Sequence, residues 1–311
     1  MGCFIMEIER IIGRYSNRKK GPLFIALAAI HGNEQAGIHA LRRVFSHLEA
    51  YNPAFIGEIA GITGNLQAVR SGRRFMDMDL NRQWYPEKVE RLSNTRRAEL
   101  ELPEEIEQKE LMILFERLKK HTPYNPIILI DFHTTSASGG TFAICNENQH
   151  SLNIAKNLGV PVITGIEGTV SGTTLHYFRD LGLCAFGFEA GQHDELASID
   201  RMEAAVWLSL ERIGCIKRED IPEFDKHHQA LHKLGEGIPG VVSFSYRHPV
   251  KSEDAFEMKP GYRNFQPIAE GEVLANDKSG PIAARKDGMI LMPLYQKQGE
   301  DGFFIVTELA N

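Results

Sequence analysis

Three residues with metal-ligating side chains follow two strongly apolar runs of the chain. His31 and Glu34 stand three positions apart just after the run at 22–30, PLFIALAAI, and His133 follows a second run at 127–132, IILIDF. Such runs predict buried strands of a sheet that helices cover on both faces. Two imidazole nitrogens and one carboxylate can hold zinc and leave a fourth position open for water. The pattern therefore favours a metal-dependent hydrolase over its structural alternative, a capped loop histidine with a glutamate that opens the next helix.

Another carboxylate, Glu189, stands near the end of a third apolar run at 183–190. An unpaired carboxylate is costly to bury, so this position requires either a function or a buried salt bridge. Beside metal-activated water, a glutamate can act as general base and then as proton shuttle. We predict that Glu189 is the catalytic base, with the salt bridge as the structural alternative.

The segment 70–84, RSGRRFMDMDLNRQW, concentrates arginines beside two aspartates. Guanidinium groups recognise carboxylates through planar, bidentate hydrogen bonds, so this segment is a candidate for binding an acidic substrate. A solvated charged loop is the alternative. The wider segment 66–102 shows little periodicity and is predicted to be a long loop, which inside a compact domain usually has a function.

Composition excludes several classes of protein. Of 311 residues, 42% are hydrophobic and 24% are charged, as in ordinary globular enzymes. The net charge of −6 gives no indication of nucleic acid or an anionic membrane as a partner, and no apolar run approaches the roughly 20 residues that span a bilayer. The first residues, MGCFIMEIER, lack the pattern of a secretory signal. Four scattered cysteines without a CxxC pair predict free thiols and a cytoplasmic location.

Strand-like and helix-like segments alternate from residue 22 to the long amphipathic segment at 196–216. This alternation predicts an α/β fold, a mixed but mostly parallel sheet flanked by helices, with ligands bound beyond the carboxyl ends of the strands. After residue 216 the chain becomes charged, and from residue 235 short apolar runs alternate with Gly and Pro, which predicts a β-rich region. We predict a catalytic domain at 1–216 and a smaller β-rich cap domain at 217–311.

Four motifs occur in an order that resembles the succinylglutamate desuccinylase/aspartoacylase family of zinc carboxypeptidase-like enzymes. They are HGNE at 31–34, NLQAVRSGRRFMDMDLNRQW at 65–84, DFHTT at 131–135 and FGFEAG at 186–191. The resemblance covers roughly residues 22–216. It implies the zinc-carboxypeptidase-like fold and hydrolysis of the amide bond of a small N-acyl amino acid, of the N-acetyl or N-succinyl aspartate or glutamate type.

The resemblance also implies the roles of the residues at the reacting centre. One zinc ion per chain would be bound by His31, Glu34 and His133. Glu189 would be the general base, and water would be activated by zinc together with Glu189. Arg74 would polarise the scissile carbonyl group and stabilise the oxyanion, an interaction often worth about 3–4 kcal/mol.

Further residues are assigned to substrate and ligand support by the same resemblance. Asn81 and Arg82 would hold a substrate carboxylate. Asp79 would support a zinc histidine from behind, which fixes the tautomer and orientation of the ring. Arg179 stands ten residues before Glu189 and would bind a second substrate carboxylate.

Departures from the family pattern leave the substrate open. Leu175 stands where aspartoacylase-like enzymes have a tyrosine, although Tyr177 is near, and Tyr295 is a weak candidate for a tyrosine that the C-terminal region supplies. His176 and His193 are further candidates for lining the pocket. The acyl group and the amino acid are therefore not assigned. The sequence does not fix the oligomeric state either, and a homo-oligomer is compatible with it.

Two other functions fit the same motifs. A metallocarboxypeptidase that acts on peptides would share the metal site and have a wider cleft. A non-catalytic carboxylate-binding protein would use the fold alone, but Glu189 and Arg74 are both present, and a decayed site usually loses one of them.

Overall fold

The structure, a computed structural model, describes residues 8–120, 125–146, 148–165 and 169–309. The helices are α1 (Ala36–Tyr51), α2 (Leu66–Ser71), α3 (Pro86–Asn94), α4 (Pro103–Lys120), α5 (Gln149–Lys156), α6 (Thr174–Asp180), α7 (Ala197–Arg212) and α8 (Phe224–Gly235). The strands are β1 (Ile11–Tyr15), β2 (Leu23–Ala28), β3 (Glu58–Thr63), β4 (Ile127–Thr135), β5 (Phe142–Cys145), β6 (Val162–Thr164), β7 (Cys184–Gln192), β8 (Val241–Pro249), β9 (Glu257–Met258), β10 (Gln266–Ile268), β11 (Val273–Asp277), β12 (Gly280–Ala283), β13 (Gly288–Leu291) and β14 (Asp301–Glu308).

A large mixed sheet forms the centre of the molecule, with strand order β1-β3-β2-β4-β7-β5-β6-β8-β14-β13-β10. Strands β3, β2, β4 and β7 are parallel to one another, whereas β5 runs antiparallel to β7. The C-terminal strands β8, β14, β13 and β10 are paired antiparallel. The predicted fold class, a mostly parallel sheet with helices and a β-rich C-terminal part, is confirmed.

Helices cover both faces of the sheet because its central strands are apolar on both sides. Phe24 and Ala26 of β2 pack with α1 and α7 in one core cluster. Leu23 and Ile25, which alternate with them along the strand, pack with α4 and α6 in a second cluster. Successive side chains of a strand point to opposite faces, so the continuous apolar run is what a two-sided core requires.

The C-terminal region joins the rest of the molecule through sheet and helix contacts. Strand β8 pairs in parallel with β6, and Leu231 of α8 lies in the same buried cluster as Trp207 of α7. A separate three-stranded sheet, β12-β11-β9, lies within this region. The predicted domain division after residue 216 falls between α7 and α8 and stays a prediction.

The prediction of one long loop at 66–102 is wrong, because that segment contains two helices. Helix α2 is only six residues long, and the side chain of Asn65 caps it by accepting a hydrogen bond from the backbone of Ala68. Helix α3 begins with Pro86 at its first turn, a favoured position for proline. Two short helices without a long apolar stripe give a weak periodic signal, which explains why the pattern was missed.

The sequence analysis also made predictions about membrane-spanning segments and about the cysteines. Among the described residues, no helix combines the length and the apolarity that crossing a bilayer requires. Cys184 and Cys215 are free thiols, Cys145 is buried, and Cys3 lies outside the described residues.

Candidate active site

The three predicted metal ligands meet at the carboxyl ends of β2 and β4. One carboxylate oxygen of Glu34 lies 3.0 Å from Nδ1 of His31, and the other lies 3.0 Å from Nδ1 of His133. The ligating atoms of the three side chains all lie within 4.8 Å of one another, and all three residues are buried. The fold therefore brings together residues that are about a hundred positions apart in the chain.

The turn that carries His31 and Glu34 is held closely against α2. The backbone N–H of Gly32 donates a hydrogen bond to the carbonyl oxygen of Arg74. A Cβ atom at position 32 would lie 2.1 Å from the backbone carbon of Ala68, closer than any real contact. Glycine is therefore required in HGNE because two backbone segments touch there.

Two aspartates hold the outer nitrogens of the histidine rings. Oδ1 of Asp79 lies 3.0 Å from Nε2 of His31, a position from which an acid can support the ring. Oδ2 of Asp131 lies 3.3 Å from Nε2 of His133, a role that the sequence analysis missed. Its signal was present, because residues two apart on a strand share a face. Because Nε2 of each ring faces an acid, Nδ1 is the nitrogen that faces Glu34 and would bind a metal ion.

The electrostatics of the three ligands fit a divalent cation. Burial acts to raise the pKa of Glu34, but the charges and hydrogen bonds of His31 and His133 outweigh it and hold that pKa well below its usual range. Burial acts to lower the pKa of His133, but Asp131 and Glu34 raise it well above its usual value. Two imidazoles, one ionised carboxylate and two supporting acids make a donor set that suits zinc.

Glu189 lies on β7 directly beside His133 of β4 in the strand register. Its side chain lines the same pocket, and Oε2 is buried without a hydrogen-bond partner among the described residues. Burial raises the pKa of Glu189 to about 8, and the neighbouring charge of Glu34 adds to the shift, while His133 and Arg74 oppose it. A buried carboxylate with a raised pKa and a free oxygen is suited to accept and return a proton.

Arg74 bridges the two acids at the metal ligands. Its guanidinium donates to Glu34 at 3.1 Å and to Asp79 at 3.1 Å. Its Nε is buried and has no partner among the described residues. Arg74 therefore brings a positive charge and an unused donor to the edge of the predicted metal centre.

A residue that no motif indicated, Glu104, holds the loop that carries Arg74 and Asp79. Its fully buried carboxylate accepts hydrogen bonds from the backbone N–H groups of Met76, Asp77 and Met78 and from the side chain of Asn65. Glu104 lies in the first turn of α4, far from the loop in sequence. One acid of α4 thus holds three successive backbone N–H groups of the charged loop.

Asn81 and Arg82, predicted to hold a substrate carboxylate, both line the pocket. The amide oxygen of Asn81 accepts a hydrogen bond of 2.9 Å from the backbone of Thr174, which turns its NH₂ group toward His133. Arg82 donates to Asp301 at 2.6 Å, and Asp301 also accepts from Arg247. Arg82 therefore already has a carboxylate partner within the protein.

The structure does not bring Arg179 to the pocket. Its guanidinium pairs with Asp180 and its side chain is 39% exposed, so the prediction of a second carboxylate site at this residue is not supported by its position. Arg179 lies in the last turn of α6, whereas Thr173 and Leu175 at the other end of that helix line the pocket.

Of the other candidate lining residues, some lie at the pocket and the rest lie in the core or at the surface. Leu175 lines the pocket, and His193 lies beside it, 2.7 Å from the hydroxyl of Thr134. Tyr177 packs against Trp84 in the core. His176 is buried beside Thr173, and Tyr295 is 39% exposed and bonds to the backbone of Lys259. The C-terminal contribution to the pocket instead comes from Phe244, Phe304 and residues near Tyr295: Met292, Leu294, Gln296, Gly299, Glu300 and Asp301.

The chain is similar in sequence to known proteins. Residues 20–209 match the sequence model of the succinylglutamate desuccinylase/aspartoacylase catalytic domain. The chain is 23% identical over 296 residues to a probable aspartoacylase of Nostoc sp., covering 90% of this chain and 95% of that protein. It is 25% identical over 279 residues to a succinylglutamate desuccinylase of Ectopseudomonas mendocina, covering 85% of this chain and 79% of that protein.

Solved structures share the fold. A succinylglutamate desuccinylase/aspartoacylase from Rhodobacter sphaeroides superposes with a TM-score of 0.66 at 15% identity, over 94% of this chain and 87% of that one. The product-bound ectoine utilization protein EutE (DoeB) from Ruegeria pomeroyi gives a TM-score of 0.63 at 18% identity, over 94% and 86% of the two chains. At these identities the likeness concerns the fold alone.

Proposed function

The chain belongs to the succinylglutamate desuccinylase/aspartoacylase family of hydrolases, and we therefore propose that it is a zinc-dependent amidohydrolase. Its substrate would be a small N-acyl amino acid, and the bond cleaved would be the amide. The observation that carries this proposal is the position of Glu189, which has a free oxygen beside the buried His31, Glu34 and His133.

The proposed metal ligands are His31, Glu34 and His133, with Asp79 and Asp131 behind them. A bound zinc ion would supply Lewis acidity, which lowers the pKa of water and polarises a carbonyl group. The raised pKa of Glu189, about 8, falls as positive charge is placed nearby, so the carboxylate can be ionised near neutral pH.

Proton transfer is the role proposed for Glu189. Its free Oε2 takes a proton from the attacking water and gives it to the amide nitrogen as the carbon–nitrogen bond breaks. The oxygen of water joins the acyl carbon, so the products are a carboxylic acid and a free amino acid. We assign to Arg74, whose guanidinium lies beside Glu34, the stabilisation of the charge that develops on the carbonyl oxygen.

Asn81 and Arg82 are the proposed site for the α-carboxylate of the amino acid. Asn81 and Arg82 both line the pocket, and their amide and guanidinium N–H groups are donors of the kind that binds a carboxylate. We also propose a cytoplasmic location, which the free thiols of Cys184 and Cys215 support because reduced cysteines persist there.

Metal analysis tests the first half of this proposal. The purified protein should contain about one zinc per chain, and His31→Ala or His133→Ala should lose it. His39→Ala, a histidine of α1 outside the pocket, is the matched control and should keep the metal. Full zinc content in both ligand variants would contradict the assignment.

Hydrolysis of a substrate panel tests the second half. N-acetyl and N-succinyl derivatives of aspartate, glutamate and neutral amino acids are compared with short peptides on the zinc-loaded protein. Glu189→Gln should reduce kcat by at least about a hundredfold, the lower range for loss of a general base, while zinc content stays unchanged. Preferential cleavage of peptides would establish a carboxypeptidase instead, and full activity of Glu189→Gln would overturn the mechanism.

A further inference from the structure

One stretch of the pocket wall is apolar and comes from four separate elements. Ile144 of β5, Leu175 of α6, Phe244 of β8 and Phe304 of β14 all line the pocket, and each is at most 9% exposed. Met292 and Leu294 extend the same stretch. Binding at such a surface is favourable when an apolar group of the ligand covers it and removes it from water.

The floor of this stretch is Gly187, two residues before Glu189 on β7. Residues two apart on a strand share a face, so the missing side chain at position 187 leaves space next to the proposed base. A Cβ atom there would lie 3.7 Å from Cβ of Ile144 and 3.7 Å from Cδ1 of Leu175.

The charges of the pocket oppose a second substrate carboxylate. Its lining guanidinium groups, those of Arg74 and Arg82, are both paired, Arg74 with Glu34 and Asp79, Arg82 with Asp301. Glu300 adds a further acid to the lining. With Arg82 assigned to the α-carboxylate and Arg74 to the oxyanion, the described lining residues offer no further arginine or lysine to a second carboxylate, and an unpaired buried charge is costly.

From this apolar floor and these paired cations we propose that the amino-acid part of the substrate carries a single carboxylate and an uncharged aliphatic or aromatic side chain. That side chain lies over Gly187 and contacts Ile144 and Leu175. The inference rests on the proposed function, since it assigns the amino acid that the amidohydrolase releases. Such a substrate differs from N-acyl aspartate and N-acyl glutamate, whose amino acids carry a second carboxylate.

The test on wild-type protein compares kcat/KM for N-acetyl derivatives of leucine and phenylalanine with those for N-acetylaspartate and N-succinylglutamate. The apolar substrates should be favoured at least about tenfold, as hydrophobic pockets discriminate by roughly 10- to 200-fold. Equal or better cleavage of the acidic substrates would overturn the inference and leave the proposed function standing. If no acylated amino acid is cleaved, the proposed function fails and the inference fails with it.

A second experiment tests where in the pocket the side chain of the substrate lies. Gly187→Ala adds one methyl group at ordinary contact distance, so the ratio of kcat/KM for N-acetylleucine over N-acetylalanine should fall at least about fivefold. Gly240→Ala is the matched control, because a Cβ atom there meets nothing within 4 Å, and its ratio should equal that of wild type. An unchanged ratio in Gly187→Ala would overturn the assignment.

The acyl group is tested separately, because it could also occupy an apolar surface. N-hexanoylaspartate is compared with N-acetylleucine on the wild-type protein. Preference for N-acetylleucine supports the proposal. Preference for the hexanoyl compound would place the acyl chain on this surface and overturn the assignment of the side chain.

Discussion

The Nε2 atom of His31 lies 3.0 Å from Oδ1 of Asp79, so the ring nitrogen that faces away from Glu34 is held by an acid. A histidine held in this way has its tautomer and its ring plane fixed before a metal binds. Asp79 also accepts a hydrogen bond from Arg74, which joins the proposed metal centre to the oxyanion donor.

Asp79→Asn is therefore expected to weaken zinc binding by roughly 10- to 100-fold, the usual effect of losing a supporting acid. The amide keeps the shape of the side chain but loses the charge that strengthens the hydrogen bond to His31. Competition with a chelator measures the affinity. Asp77→Asn, an exposed neighbour, is the control, and equal affinities in the two variants would contradict the role of Asp79.

Glu104 gives a prediction about stability. Three backbone N–H groups and the side chain of Asn65 donate to its buried carboxylate. Glu104→Gln puts an NH₂ group against such donors, so the free energy of unfolding should fall by about 2–4 kcal/mol. Zinc affinity should fall as well, because the same loop carries Asp79.

Urea denaturation and chelator competition measure the two effects of Glu104→Gln. Glu101→Gln changes an exposed residue just before α4 and should shift the free energy of unfolding by less than about 0.5 kcal/mol. A Glu104→Gln protein as stable as this control would show that the loop does not depend on the carboxylate.

The residues that sequence analysis found share one property, a local pattern. His31 and His133 follow apolar runs, and Glu189 lies within one, so each could be placed at a strand end. The structure places all three at one site. Asp131 had a local signal as well, its spacing of two from His133, but only the contact shows which neighbour it supports.

The residues that sequence analysis missed act over long separations. Glu104 reaches a loop about 26 residues earlier, and Asp301 reaches Arg82 across 219 residues. No local periodicity encodes such pairs, because they depend on how elements pack. Arg179 shows the converse, since a correct spacing along the chain did not place its side chain in the pocket.

The raised pKa of Glu189 makes stability depend on pH in the metal-free protein. An unfolded chain loses this proton near the ordinary pKa of 4.5, whereas the folded chain holds it to about 8. The stabilising contribution of the protonated carboxyl is therefore fully present below about pH 4.5 and is lost as the pH rises through about 8. Glu189→Gln stays neutral and keeps that contribution.

With chelator present, the free energy of unfolding of Glu189→Gln relative to wild type should thus increase between pH 5 and pH 9, by an amount on the order of a few kcal/mol. Urea denaturation at the two pH values measures it. Glu49→Gln, an exposed site on α1, should show no such change. A difference that is constant with pH would mean that Glu189 titrates normally.

Gln296 connects the C-terminal wall of the pocket to the metal-binding side. Its Oε1 lies 3.1 Å from Nε2 of His193 and accepts a longer hydrogen bond of 3.4 Å from Asn33. Asn33 lies between the proposed ligands His31 and Glu34. The side chain of Gln296 therefore links the C-terminal part of the pocket wall to the turn that carries these ligands. Gln296→Ala removes the tie without touching the proposed ligands or the base.

We expect Gln296→Ala to raise KM by roughly twofold to tenfold, the effect of one or two neutral hydrogen bonds, and to leave kcat nearly unchanged. The reason is that the wall confines the bound substrate, whereas Glu189 and Arg74 act on the reacting atoms. Steady-state kinetics on the best substrate of the panel separates the two constants. Lys297→Ala, an exposed neighbour, should behave as wild type, and a fall in kcat alone would instead assign Gln296 to the reacting centre.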